Sequence, residues 1–292
     1  MTMIGCSLWT FRGGRRRRIV RNMVQLEPVG VVRNGLRDRK SMPALGAPAS
    51  VEIFEPYRDA LLRFEKHSHV WVLAWLDRGE RNVLQVTPRG VDDRGPDGLH
   101  GVFAVRSPAR PNPIGLTLAR VLGRDGLHIA LDRLDFLDGT PVIDLKPYFV
   151  TRDLAFTASN SRIGLPRGAE ALRDSLVQQA VRFHGEECAD LALAVRMVED
   201  LRIRFHALGE PERWVVEVPL CRPCLIDAMM GMTRTSPGRN TLRFTEQDAA
   251  GFAEGRYWPR PELPGDFEAM LEAPSGLLFD FELREEAPRE AR

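Results

Sequence analysis

Prolines at positions 108, 111 and 113, set among two arginines and an asparagine, limit most what this chain can fold into. The segment reads Gly101-Val-Phe-Ala-Val-Arg-Ser-Pro-Ala-Arg-Pro-Asn-Pro-Ile-Gly-Leu-Thr117. Each proline fixes φ and removes a backbone donor, so the stretch cannot be helical and makes a poor strand. Pro111 and Pro113 also press the backbone before them toward extended geometry. The expected result is a stiff, irregular loop that presents Arg106, Ser107, Arg110 and Asn112 from a strand end. Stiff polar loops at strand ends are where binding sites sit.

Around this loop the apolar residues come in short runs broken by Gly, Pro and Asp. Residues 29–32, 51–54, 70–76, 83–86, 102–105, 116–122 and 127–131 read as strands, and 142–145 as one more. The run 70–76 is continuously apolar, which predicts a strand buried on both faces. One helix is expected over 56–64, with Pro56 near its N-terminus. Many short strands with turn signals between them suggest a barrel or a sandwich. A second polar segment follows, Asp135-Phe-Leu-Asp-Gly-Thr-Pro-Val-Ile-Asp-Leu-Lys-Pro-Tyr148, in which Asp138-Gly139 is a turn signal. It holds Asp144, Lys146 and Tyr148 on proline-stiffened backbone, either as part of a polar pocket or as a solvated surface pair.

Arg-Ser-x-x-Arg-Pro-Asn-Pro-Ile-Gly, followed by Asp-x-x-Asp-Gly-Thr-Pro-Val-x-Asp-x-Lys-Pro-Tyr, resembles the TsaA/TrmO family. The likeness runs from about Val29 to Tyr148 and includes Gly30-Val-Val-Arg33 and Ser68-His-Val-Trp-Val-Leu73. It implies an S-adenosylmethionine-dependent methyltransferase on a β-barrel rather than a Rossmann sheet. It further implies a homodimer acting on N6-threonylcarbamoyladenosine beside the tRNA anticodon. The methyl donor would then lie among Leu76, Asp77, Arg106, Ser107, Leu116, Leu134, Asp135, Asp138, Gly139 and Thr140. Arg110, Asn112, Asp144, Lys146 and Tyr148 are positioning candidates, and no general base is named, because in-line placement can carry methyl transfer from a sulfonium. The chain departs from the family's Pro-x-Gln donor segment, with Met42-Pro43-Ala44-Leu45-Gly46 in its place. It also lacks the bacterial members' later Asp-Pro-Arg-Pro-x-Tyr motif, which weakens the tRNA assignment in particular.

The chain has 292 residues, 41 basic and 40 acidic, so overall charge advertises no nucleic-acid partner and any such contact needs a local patch. No apolar run approaches the ~20 residues of a membrane span. Four cysteines are too few for a disulfide scaffold and fit a reducing cytoplasm. Residues 1–22 carry Arg15 to Arg18 and read as a disordered extension or a basic arm for RNA.

After residue 155 the character changes. A linker over 156–168 precedes an α+β domain over 169–283, with helices expected at 168–183, 186–206 and 225–230, a strand at 214–220 and a frayed tail over 284–292. Phe183-His-Gly-Glu-Glu-Cys188 places His184 and Cys188 four apart, on one face if the segment is helical. Cys221-Arg-Pro-Cys224 adds a pair, and one imidazole with three thiols is a full tetrahedral zinc set by ligand type. The alternative is small cysteines that merely pack. His67 and His69 read as packing or substrate-proximal residues rather than a metal pair.

These residues, with Cys224-Leu-Ile-Asp227-Ala228, Gly231-Met-Thr233 and Gly238-Arg-Asn240, resemble the FmdE-like domain, a family named for formylmethanofuran dehydrogenase, over about 176–244. Family members often carry cysteine where Met232 stands, so Cys221 replaces that ligand or the metal keeps an open position. Three readings follow. The first is tRNA methylation. The second is methylation of a small molecule or metal-bound ligand presented by the second domain. The third is a metal-binding or sensing protein without catalysis.

Overall fold

The computed structural model describes residues 24–91, 95–158 and 163–284. The basic extension over 1–22, positions 159–162 of the linker and all of the tail but Arg284 lie outside the described residues. The first half comprises β1 (Gly30–Arg33), β2 (Ala47–Ile53), β3 (His69–Trp75), β4 (Gln85–Val86), β5 (His100–Gly101), β6 (Ile114–Asp125), β7 (His128–Leu134) and β8 (Pro141–Pro147). Six of these close an antiparallel barrel in the order β1-β2-β7-β6-β3-β8. Val32, Val51, Val70, Val72, Ile129, Leu131 and Val142 fill it, nearly or wholly without exposure.

Because every strand runs against its neighbours, the ends of β1, β3 and β7 and the starts of β2, β6 and β8 ring one mouth. The connections 34–46, 76–113 and 135–140 all leave from that mouth. Both proline-stiffened loops are therefore brought to one place by topology alone.

Several expectations are corrected. The apolar run at β3 is buried on one face only: Val70, Val72 and Ala74 point inward, while His69, Trp71, Leu73 and Trp75 are half-covered on the outside. The helix over 56–64 is instead two 3-10 segments, Glu55–Leu61 and Phe64–Lys66, separated by Leu62 and by Arg63, the latter in the left-handed region at φ 64°. Residues 102–105 form a turn rather than a strand, with the Val102 N–H donating to Leu84 O and that of Ala104 to Gly101 O. Their apolar character serves burial of Val102 under the loop, not a ladder. The strand at 83–86 shrinks to a two-residue pairing of β4 with β5.

The second half carries α1 (Val150–Asp153), α2 (Ala169–His184), α3 (Ala189–Phe205), β9 (Val216–Pro219), α4 (Pro223–Thr233), β10 (Leu242–Thr245), β11 (Ala250–Gly251), β12 (Gly255–Pro259), α5 (Phe267–Glu272), α6 (Ser275–Leu278) and β13 (Phe279–Leu283). One sheet has the order β10-β9-β11-β12-β13, with β10 parallel to β9. The α3 helix is buried almost throughout, so its apolar residues occupy all sides rather than one stripe. Its buried Arg196 pairs with Glu199 at 3.0 Å and donates to the carbonyls of Leu271 and Ala273, tying α3 to the end of α5. Gly231 of α4 lies so close to α2 that a Cβ there would stand 2.7 Å from Phe183 Cβ. That approach sets the distance between the helices carrying His184 and Cys224.

Candidate functional site

At the barrel mouth the elements touch through their backbones. A Cβ at Gly46 (φ +85°) would stand 2.7 Å from the Leu134 carbonyl, so the 42–46 segment lies directly on 134–135. A Cβ at Gly79 would stand 2.5 Å from Pro108 O, which presses the turn after β3 against the proline loop. Gly115 meets the side chains of Phe136 and Leu76 in the same way. Leu76, Asp77, Arg106, Ser107, Leu116 and Asp135 thus share one rim. Arg106 is exposed with no hydrogen-bond or ion-pair partner among the described residues, Leu116 is 40% exposed, and Asp77 is exposed. A free guanidinium, a free carboxylate and a bare apolar side chain are the types needed for a zwitterionic ligand with an apolar ring.

The other expected donor contacts are arranged differently. The Leu134 side chain has no exposure and belongs to the barrel core, so it cannot wall an open slot. Asp138 accepts from the backbone N–H groups of Asn34 at 3.1 Å and Gly35 at 3.3 Å, and these hold its carboxyl below the usual aspartate range. Its role is to clamp the β1–β2 connection, together with Asn34 Nδ2 donating to Phe136 O at 2.9 Å. Gly139 provides the turn at φ +81°, Thr140 is buried behind it, and Thr117 donates its hydroxyl proton to Asp135. Ser107 Oγ accepts from Ala109 N at 3.2 Å, which keeps it inside its own loop.

The positioning candidates divide between the two ends of the barrel. Asn112 sits at the mouth that the 76–113 connection leaves from, exposed. Arg110 also lies there, but its Nη2 donates to the carbonyls of Val102 and Val105, so it braces the loop and does not reach outward. Asp144, Lys146 and Tyr148 run away from the mouth along β8. Asp144 and Lys146 form a 2.6 Å pair, 44% and 62% exposed, which is the solvated surface pair and not a pocket wall shared with Arg106. Tyr148 packs near His69 and Trp71, and His67 stands edge-on to Phe149.

In the second half His184, Cys188 and Cys224 offer ligand atoms within 4.8 Å of one another. Cys221 falls outside this group: it precedes α4, is exposed, and has Asp248 as its side-chain partner. The expected four-ligand set is therefore corrected to three. His184 and Cys188 also do not share a helix face. Gly185 (φ +100°) ends α2 at His184, and Cys188 caps α3 after the turn, so the chain reversal brings them together.

Their 3.7 Å Nε2–Sγ separation is close to the tetrahedral edge of about 3.5 Å expected from Zn–N of about 2.0 Å and Zn–S of about 2.3 Å. Asp227 Oδ2 lies 3.1 Å from His184 Nδ1 and orients the ring so that Nε2 faces the thiol. Burial and the neighbouring Cys188 push the Cys224 thiol up, a shift that a bound cation would reverse. The residues fit a zinc ion with one open position.

Sequence reasoning missed three features. Phe103, 87% exposed, stands on the turn beside Arg106; it is the one aromatic residue in 101–117, which could have singled it out. Asp227 was named only as part of a motif. Arg222 joins Asp190 at 2.7 Å and both oxygens of Asp248 at 2.6 and 2.7 Å, pinning the start of α3 to the start of α4 and so Cys188 to Cys224. Nothing local in the sequence marks that bridge.

Two family models match the chain: the tRNA-methyltransferase O N-terminal domain over residues 36–154, and "FmdE, Molybdenum formylmethanofuran dehydrogenase operon" over 183–253. A probable S-adenosyl-L-methionine-binding protein of Archaeoglobus fulgidus is 37% identical over 234 residues, 77% of this chain and 62% of that protein. One of the same description from Methanothermobacter thermautotrophicus is 46% identical over 130 residues, 43% of this chain and 90% of that protein. The tRNA (adenine(37)-N6)-methyltransferase of Escherichia coli is 34% identical over 139 residues, 42% of this chain and 57% of that protein. The match thus spans less than two thirds of the Archaeoglobus and Escherichia relatives' own lengths. No helix among the described residues is long and apolar enough to cross a membrane.

Proposed function

This chain belongs to the family defined by the tRNA-methyltransferase O N-terminal domain, and from that premise we propose that it is an S-adenosylmethionine-dependent methyltransferase. Its proposed acceptor is N6 of threonylcarbamoyladenosine beside the tRNA anticodon. The observation that carries the reading is the unpaired Arg106 on the same rim as Leu116 and Asp77. Arg106 binds the donor's carboxylate, Asp77 its ammonium or ribose hydroxyls, and Leu76 with Leu116 its adenine. The donor supplies an electrophilic methyl group: the N6–carbon bond forms, the carbon–sulfur bond breaks onto sulfur, and the N6 proton leaves to solvent. The chain's own contribution is alignment, which is where intramolecular-like reactions gain most. Phe103 stacks on the acceptor base, a contact open to any base because each has a π-face.

Purified protein incubated with labelled donor and tRNA that carries threonylcarbamoyladenosine without the N6-methyl group, followed by mass spectrometry of the nucleosides, tests this. Label on the threonylcarbamoyladenosine is expected; label absent from tRNA under conditions where the donor binds would overturn the acceptor assignment.

A second reading keeps the donor site and changes the acceptor to a small molecule or metal-bound ligand. It draws on the zinc-compatible His184, Cys188 and Cys224 trio with its open position, and on the loss of Pro-x-Gln side chains at 42–46. When bound there, zinc would act as a Lewis acid on a ligand in the open position. Methylation of tRNA that survives Cys188→Ser undiminished argues against this second reading.

A further inference from the structure

Two stretches singled out by the sequence, Ser68-His-Val-Trp71 and Asp144-Leu-Lys-Pro-Tyr148, take no part in the proposed donor rim, yet the barrel lays them side by side on its outer face. There β3 is flanked by β6 on one side and β8 on the other. Register sets the outward residues in rows: Leu73 pairs with Leu116 and Asp144, Trp71 with Leu118 and Lys146, and His69 with Arg120. Tyr148 completes the last row, its N–H donating to His69 O at 3.0 Å. Outward rows lie about 7 Å apart along a strand, so Trp71 stands in the row next to Leu116 of the rim and His69 in the row after that.

The face is aromatic at its centre and basic at its edge. The Tyr148 ring contacts both His69 and Trp71, with centroids 6.3 and 6.1 Å away and planes tilted by 58° and 53°. All three residues are half-buried. Burial, which outweighs the nearby Asp132 carboxylate, holds His69 below its ordinary value, so it presents a neutral ring at neutral pH. The carboxylates of the face are engaged. Asp144 pairs with Lys146 at 2.6 Å, and Asp132 accepts the backbone N–H groups of Arg120 and Arg133 at 2.7 and 2.8 Å. Arg120 is exposed, and Arg182 reaches over from α2 with Nη2 3.5 Å from Leu118 O. Neither guanidinium has a carboxylate in ion-pair distance among the described residues. Half-open rings beside unneutralised guanidinium groups suit a chain of planar bases joined by phosphates better than an apolar protein segment.

Resting on the tRNA reading above, we propose that this face holds the single-stranded RNA flanking the acceptor nucleotide, its bases stacked on Trp71 and Tyr148 and its phosphates paired with Arg120 and Arg182. A strand whose acceptor base meets the donor at the rim continues along β3 onto the rings. Stacking accepts any base, so the face contributes affinity while the acceptor is chosen at the rim. Lys146 neutralises Asp144 beside the rings, which keeps a carboxylate from repelling the RNA backbone. The chain as a whole is nearly neutral, and the contact with a polyanion is local to this face.

The test titrates a dye-labelled anticodon stem-loop without modified nucleosides against the full-length chain, without methyl donor, and reads fluorescence anisotropy. Trp71→Leu keeps an apolar side chain but loses the ring, and should weaken binding about 5- to 150-fold, the range for one base–aromatic stack. Arg120→Gln, at an exposed position with no side-chain partner among the described residues, should reduce the slope of log affinity against log salt by about 0.7. Its Kd for S-adenosylmethionine should stay at the wild-type value, and melts of both variants check the fold. Equal affinity for a blunt duplex of the stem alone, or wild-type affinity and salt slope in Arg120→Gln, overturns the proposal. If a second copy of this chain covers the face instead, Trp71→Leu changes the mass in solution and leaves RNA affinity alone, which overturns it too. Loop binding weakened in both variants, without methyl transfer to tRNA, removes the acceptor assignment and leaves this face as an RNA site. Methyl transfer to tRNA with RNA affinity unchanged in both variants does the reverse.

Discussion

Replacing Arg110 by alanine isolates how the proline loop is held. Its Nη2 donates to Val102 O and, at 2.7 Å, to Val105 O, folding the 102–105 turn back and projecting Phe103 and Arg106 at the mouth. A hydrogen bond from a charged donor contributes about 1.5–3 kcal/mol. Two such bonds would reach about 3–6 kcal/mol, but the arginine is only half-buried, and water recovers part of this when the turn opens. The lower end, about 3 kcal/mol, corresponds to a roughly hundredfold shift in the turn's closed-to-open ratio. Because Arg106 is productive only with the turn closed, the apparent Kd for S-adenosylmethionine rises as the closed fraction falls, at least twofold if the wild-type closed-to-open ratio is no more than about 100 and at most about 100-fold. Opening is local, so Tm should hardly move. Calorimetric titration of the donor into wild type, Arg110→Lys and Arg110→Ala, with thermal melts of each, measures both quantities. A Kd in Arg110→Ala equal to that of wild type would refute the argument that these two carbonyl bonds hold the donor's arginine in place.

Asp138 is held below the usual aspartate range by the Asn34 and Gly35 N–H groups, so its stabilising contribution is present above that range and is lost as pH falls through its native pKa. Asp138→Ala should therefore lower Tm at neutral pH, with the gap to wild type closing on acidification; a gap constant with pH would contradict the clamp. Zinc content by mass spectrometry should fall from one ion per chain to none in Cys188→Ser or Cys224→Ser and stay at one in Cys221→Ser, whereas loss in Cys221→Ser would restore the four-ligand set. Gly231→Ala places a Cβ 2.7 Å from Phe183 Cβ and 2.9 Å from Gln179 O, which forces α2 and α4 apart. Denaturant melts should show a loss of about 1–3 kcal/mol, and zinc should bind more weakly because His184 adjoins Phe183.

Much of the barrel was readable from local chemistry. Prolines exclude regular structure wherever they stand, and glycine, aspartate and proline between apolar runs mark strand ends, so the strands and the two polar loops appear in the sequence itself. In the two segments most misread, 56–64 and 102–105, one residue each, Leu61 and Val102, is buried while Leu62 and Phe103 stand exposed, and periodicity cannot tell such single anchors from a helix face or a ladder. The residue types at the proposed donor rim are readable in the sequence, but their division is not: Arg106 and Arg110 are the same residue four apart, and only the carbonyls around Arg110 make it a brace while Arg106 stays exposed.

The metal trio follows the same rule. Ligand chemistry and spacing named His184, Cys188 and Cys224 before any fold was known. Their meeting depends on the chain reversal at Gly185, the close approach permitted by Gly231, and the Arg222 bridge between Asp190 and Asp248. Cys221, three residues from Cys224, is turned away because α4 begins between them. Residue identity sets what a side chain can do, and that is written locally. Which side chains face one another depends on contacts between segments tens of residues apart, and only packing the whole chain decides those.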